Sequence, residues 1–292
     1  LTGLSVNTNY DYYIGEICNS GADSIYSASP YQFKTTKLCA PATNLAVSND
    51  GPTSADISWA HAGGANSFTI YYGAGLSQTT TTSPFTLTGL SSNTAYDAYV
   101  VADCGTANGI SDSIGPVSFL TPCATISAYP FTENFDGSAW VVGVPGTVDQ
   151  CWSVTQTTSN PRWHVDAGGT GSFGTGPSAA NSGSNYLYLE TSGGVAGSTA
   201  YLNLPAMDLT PLTVPYFSFY YHMFGATMGD LIVEASLDTG ATWTAVLTKS
   251  GQDQTANADP YKPEFVNMAA FKSAFTLIRF RDSINSSNSS KV

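Results

Sequence analysis

Leu87-Thr-Gly-Leu-Ser-Ser-Asn-Thr-Ala-Tyr96-Asp-Ala-Tyr-Val-Val-Ala102 decides the reading of this chain. Tyr96, Ala98, Val100 and Ala102 alternate with the residues between them, as in a strand with one buried face. The first part of the stretch also occurs earlier. Leu1-Thr-Gly-Leu-Ser-Val-Asn-Thr-Asn-Tyr10-Asp-Tyr precedes it by 86 residues, and Cys18 stands in the same relation to Cys104. That period is too long for a solenoid and suits one small β-sandwich. The expectation is a repeated module, with the chain opening inside one copy.

Outward from this stretch the alternation continues. Ala55, Ile57 and Trp59 alternate with Asp56 and Ser58, Phe68, Ile70 and Tyr72 form the next stripe, and Val117 and Phe119 form a last one. Spaced this way, the motif resembles a fibronectin type III domain, with Tyr96 at its tyrosine corner. The resemblance implies a seven-stranded sandwich over 39–122 and the last two strands of another over 1–38. In that topology Cys39, at the start of the module, and Cys104, at the end of the sixth strand, lie at one pole. The pairing Cys39–Cys104 follows, and Cys123 and Cys151 are left for each other. The alternative is that some of these are free buried thiols.

From about Cys123 the texture changes. Ala128-Tyr-Pro-Phe-Thr-Glu133-Asn-Phe-Asp136-Gly leads to Cys151-Trp152, a Gly/Ser/Asn-rich stretch over 167–184, and Phe219-Tyr-Tyr221-His222-Met223-Phe-Gly225-Ala-Thr-Met-Gly229-Asp-Leu231. The last run resembles the signature of MAM domains. The resemblance covers 123–292 and implies a jelly roll of two antiparallel sheets with a role in adhesion or oligomerisation. The family's closing strand has no counterpart after Ser283, and the final strand is expected to be missing. The fold class expected for the whole chain is all-β, built of antiparallel β-sandwiches.

Composition limits the function. Only 10% of the 292 residues are charged, so hydroxyls and amides must solvate the surface, and the net charge of −12 repels phosphate backbones, which argues against nucleic acid. No apolar run reaches the roughly 20 residues of a membrane span. Five cysteines without a CxxC pair suit an oxidising, secreted or cell-surface setting rather than a zinc knuckle.

No catalytic constellation is present: no GxSxG elbow, no HExxH helix. His222, inside the aromatic run, reads as a satisfied core histidine. Glu133 and Asp136, with Asp166 or loop carbonyls, offer an all-oxygen shell for a structural calcium ion; the alternative is ordinary surface acids. Trp140 is the aromatic residue expected to be exposed, and hence the candidate for ligand contact. The expected function is a non-catalytic adhesion or interaction region of a larger secreted protein, contacting an extracellular protein or glycan, with homophilic contact through the second domain as one form. The alternative is the accessory, carbohydrate-binding or substrate-targeting region of a secreted peptidase or glycoside hydrolase.

Overall fold

The computed structural model describes residues 1–283, except 6–7, 19–22, 36–37, 144–145, 193 and 227. The chain divides into two compact units, Leu1–Pro122 and Cys123–Val292. Among the described residues almost every regular element is a strand, and every ladder between strands is antiparallel.

The first unit opens with β1 (Asn9–Tyr12), β2 (Gly15–Cys18), β3 (Asp23–Tyr26) and β4 (Tyr31–Lys34). β1 pairs with β4 and β2 with β3, so the segment is one interrupted hairpin. A sandwich follows: β5 (Thr43–Gly51), β6 (Ser54–Ala60), β7 (Ser67–Tyr72), β8 (Leu76–Thr80), β9 (Phe85–Thr88), β10 (Ala95–Asp103) and β11 (Ile114–Leu120). Its sheets are β5-β6-β9 and β11-β10-β7-β8. The period-2 pattern explains the core: Ala55, Ile57 and Trp59 from one sheet meet Phe68, Ile70, Tyr96, Ala98 and Val100 from the other. Cys39 and Cys104 form a disulfide, Cα to Cα 5.6 Å, closing one pole.

The repeat is visible as repeated contacts. The Ser91 N–H donates to the Tyr96 hydroxyl at 2.9 Å, and the Ser5 N–H to the Tyr10 hydroxyl at 2.7 Å. Tyr96 stacks on Phe119 at 5.6 Å and Tyr10 on Phe33 at 5.8 Å. The Thr94 N–H reaches the Thr121 hydroxyl at 2.9 Å, and the Thr8 N–H reaches that of Thr35 at 2.9 Å. Each pair lies 86 residues from its counterpart.

The second unit holds β12 (Ser153–Gln156), β13 (Arg162–Ala167), β14 (Asn185–Glu190), β15 (Thr199–Asn203), β16 (Tyr216–Tyr221), β17 (Asp230–Ser236), β18 (Thr244–Ser250), β19 (Lys262–Asn267) and β20 (Leu277–Ser283). One layer is a continuous five-stranded sheet, β12-β15-β20-β17-β18; facing it are two separate pairs, β13-β14 and β16-β19. The core lies between the layers, from Leu202, Val233 and Ile278 on the continuous sheet to Trp163, Leu189 and Val266 on the split one. A second disulfide joins Cys123 to Cys151, Cα to Cα 5.7 Å.

The outward face of the continuous sheet carries a partly buried cluster of charges. Glu234 is buried and ion-paired to Arg279 at 2.7 Å and Arg281 at 2.8 Å. The Arg279 guanidinium lies over the rings of Trp243 at 3.9 Å and Tyr201 at 4.3 Å. These ring contacts reduce the exposure of the Arg279–Glu234 pair. The final strand expected to be missing concerns the sequence after Ser283, which lies outside the described residues.

Candidate functional site

The split layer of the second unit leaves a groove of about 820 Å³. Asn185, Tyr186 and Leu187 of β14 line one side, and every residue of β16 lines the other. Among the described residues, neither strand has a second strand partner.

Ladder phase shows what these edges present. Antiparallel partners alternate between pairs that exchange hydrogen bonds and pairs whose N–H and C=O groups point away. Next to β16, the Met268 N–H donates to the Pro215 carbonyl at 2.9 Å. Counting on from there, Phe217 and Phe219 bond to β19, while Tyr216, Ser218 and Tyr220 turn their backbone groups toward the groove. Pro263, which has no N–H, stands opposite Tyr220, as this phase requires. On the other side, the Val165 carbonyl accepts from the Gly143 N–H at 3.2 Å, so it faces away from β14. Its partner Leu187 therefore turns its own backbone groups away from β13, as does Leu189. Asn185 is in the same phase, and its N–H is accepted by Asp136 at 2.9 Å.

The floor is apolar. Phe280, on the central strand of the continuous sheet, lies 6.1 Å from Trp163 and 4.9 Å from Phe219. It touches both halves of the split layer and lies beneath the gap between them. It is only half-buried, although it faces the core. Tyr216 and Tyr220 stand exposed on the lip.

Buried polar groups also line the groove. Among the described residues Trp163 Nε1 has no hydrogen-bond partner, and His222, 4% exposed, also lies in the lining. Buried polar groups of this kind need an explanation. His222 packs against Tyr261 at 5.4 Å and against the Cα of Gly176, where no Cβ fits. Burial pushes its pKa below the usual histidine value, outweighing Asp259 and the backbone at Ala256 nearby. Next to it, Tyr221 donates to the Asp253 carboxylate, which Lys262 also contacts at 2.6 Å. These contacts, Lys262 foremost, hold the Asp253 pKa below the usual carboxylate value.

The structure places the expected site residues as follows. Trp140 is not exposed: it is buried, edge-on to Phe135 at 5.0 Å and to Trp152 at 5.4 Å. This corrects its reading as a ligand contact, because the three rings form one end of the core and leave no face for a sugar. His222 is buried, as expected. Asp136 Oδ1 accepts the N–H groups of Ser184 and Asn185, both at 2.9 Å, and its carboxylate fills the space that a side chain at Gly183 would need. Glu133 accepts the Phe135 N–H at 2.8 Å, and Asp166 the Ala167 N–H at 2.8 Å. Among the described residues no three His, Cys, Asp or Glu side chains are grouped as a metal shell, so Asp166 does not join Glu133 and Asp136.

The groove itself was not foreseen from the sequence. The only signal was the dense aromatic run at 216–223, which carries more rings than one closed face needs.

Residues 146–272, within the second unit, match the family model of the MAM domain, meprin/A5/mu. Three solved structures are similar to parts of the chain. One, described as a myokine structure, is 26% identical over 29% of this chain and 98% of its own, with a TM-score of 0.26. The K1 cleaved adhesin domain of Lys-gingipain from Porphyromonas gingivalis is 18% identical over 49% of this chain and 86% of its own, with a TM-score of 0.36. A structure of carbohydrate-binding modules from the β-sandwich superfamily is 13% identical over 86% of this chain and 93% of its own, with a TM-score of 0.32.

Proposed function

We propose that this chain is a non-catalytic binding region of a modular extracellular protein. In this reading the fibronectin type III-like modules act as spacers and the second unit makes the contact, with the groove between β14 and β16 as the contact site. The observation that carries the reading is a large, mainly apolar groove lined by a few polar groups, the usual form of a binding site. The match of 146–272 to a MAM domain supports it. So do the two disulfides, which suit a secreted or cell-surface protein. Among the described residues no helix is long and apolar enough to cross a membrane.

Binding of a hydrophobic dye tests the reading. A dye that brightens with the folded chain, and is displaced when Leu187→Glu puts a charge into the groove, supports it. A folded chain that binds no dye contradicts it. The exposed rings of Tyr216 and Tyr220 favour a second reading, a glycan-contacting accessory region, because such rings stack on sugars. Glycan-array binding that disappears in Tyr216→Ala and Tyr220→Ala would select that alternative.

Calcium at Glu133 and Asp136 with loop carbonyls is a separate proposal, supported by the oxygen chemistry of these side chains. A native-state ligand must raise stability, so equal unfolding midpoints with and without chelator remove it.

A further inference from the structure

We propose that the outward face of the β11-β10-β7-β8 sheet, in the first unit, binds a neutral oligosaccharide, with Tyr71 and Tyr99 as the rings on which its sugars stack. This goes beyond the reading of that module as a spacer and does not rest on the groove of the second unit.

The two tyrosines stand at the centre of the face. β7 and β10 are the inner strands of the sheet, and Tyr71 and Tyr99 are direct partners in their ladder. Ile70, Tyr72, Ala98 and Val100 on either side of them point into the core, so both rings point outward. Tyr71 is 47% exposed and Tyr99 36%. Side chains directly opposite each other on neighbouring strands start about 5 Å apart. That is close to the length of one pyranose ring, so successive sugars of a chain can lie on the pair.

The backbone beside Tyr99 is shaped around its ring. The register of β10 against β11 shifts between Ala98 and Val100, a bulge at Tyr99 of the kind that re-aims a side chain. Gly115 of β11 has a φ of +130°. A Cβ there would lie 3.0 Å from Tyr99 Cδ1 and 2.7 Å from the Ala98 carbonyl oxygen. Glycine at this position leaves the ring room to lie against the β11 backbone.

The surroundings select the ligand. Ser77 of β8 is opposite Tyr71 and exposed. One row along, the Thr69 and Thr79 hydroxyls lie 3.5 Å apart, and on the other side Asp97 holds the Ser118 hydroxyl. An apolar partner laid on this face would strip these groups of water and return nothing. A polyhydroxyl ligand offers them donors and acceptors while its C–H faces pack on the two rings. Charge narrows the class further. Residues 39–122 hold five Asp and no Glu, Lys or Arg, so a uronate or sulfate chain is repelled and finds no counter-charge.

The test uses the 292-residue chain and five neutral hexasaccharides: β-1,4-linked glucose, xylose and mannose, β-1,3-linked glucose and α-1,4-linked glucose. Each is titrated to millimolar concentration and read by amide NMR shifts. At least one should shift the amides at Tyr71 and Tyr99. Tyr71→Ala and Tyr99→Ala should each weaken its binding about tenfold or more, while the phenylalanine variants, which keep the ring, should bind within about threefold of wild type. Both side chains face outward, so the variants should keep the amide spectrum of the folded module. A hexagalacturonate should bind more weakly than the neutral sugars.

No shift with any of the five sugars would overturn the proposal. So would binding that survives both alanine variants, or that is lost in Tyr216→Ala and Tyr220→Ala instead, which would place the glycan on the second unit. Equal binding of hexagalacturonate would overturn the choice of a neutral ligand. Shifts at Tyr71 and Tyr99 that grow with chain concentration, without sugar, would make a second copy the occupant and also overturn it.

Discussion

The rings of Phe280 and Phe219 meet edge to face at 4.9 Å across the two layers of the second unit, yet Phe280 stays half-buried on the central strand of its sheet. A core-facing phenylalanine at such a position is ordinarily enclosed. Here the gap beside β16 leaves one of its flanks uncovered. Replacing a fully enclosed phenylalanine by alanine costs about 3–5 kcal/mol. Phe280→Ala should cost less, about 2 kcal/mol, because part of the ring is already in water. Urea unfolding measures this, and a loss above about 4 kcal/mol would mean that the groove is closed.

The tyrosine corner of the first unit gives a second prediction. Tyr96→Phe removes the acceptor of the Ser91 N–H and keeps the ring stacked on Phe119. One lost hydrogen bond should lower stability by about 1 kcal/mol. The measurement is best made on the first unit's transition if the two units unfold separately. No change would show that water replaces the hydroxyl without cost.

The disulfides make a third. Cys39 and Cys104 are 65 residues apart, and opening so large a loop in the unfolded chain should cost about 2–5 kcal/mol in the Cys39→Ser/Cys104→Ser double variant. Alkylation without reductant should leave Cys39, Cys104, Cys123 and Cys151 unlabelled, read by peptide mass. Label on any of the four would break the pairing.

His222 gives a pH dependence. Its folded-state pKa lies below the unfolded value, so the unfolded chain binds the proton more tightly. The stability is therefore fully present above the unfolded histidine pKa of about 6.5 and falls as pH drops through it toward the folded value. The unfolding midpoint should decline on acidification from about pH 7 to about pH 5, and His222→Gln should flatten that slope. A slope unchanged in the Gln variant would assign the effect elsewhere.

Much of the fold could be read from alternation alone. Ile57, Trp59, Ile70, Tyr96 and Val100 are buried because successive side chains on a strand take opposite faces. The Cys39–Cys104 pairing followed from the order of strands that the resemblance implied. What escaped the sequence depends on residues far apart in the chain. Trp140 looked unconstrained beside glycine and serine, but Phe135 and Trp152 close around it. Glu133 and Asp136 are local in sequence, but the amides of Ser184 and Asn185 that Asp136 holds come from a distant stretch of the chain. The groove is a space beside two strand edges, and no local pattern in β14 or β16 shows that, among the described residues, neither has a second strand partner.

Amide hydrogen exchange by NMR tests the open edges most directly. In the free chain the N–H groups of Ser218 and Tyr220 should exchange quickly, while those of Phe217 and Phe219, bonded to β19, are protected. Protection of all four would contradict an open groove edge at β16.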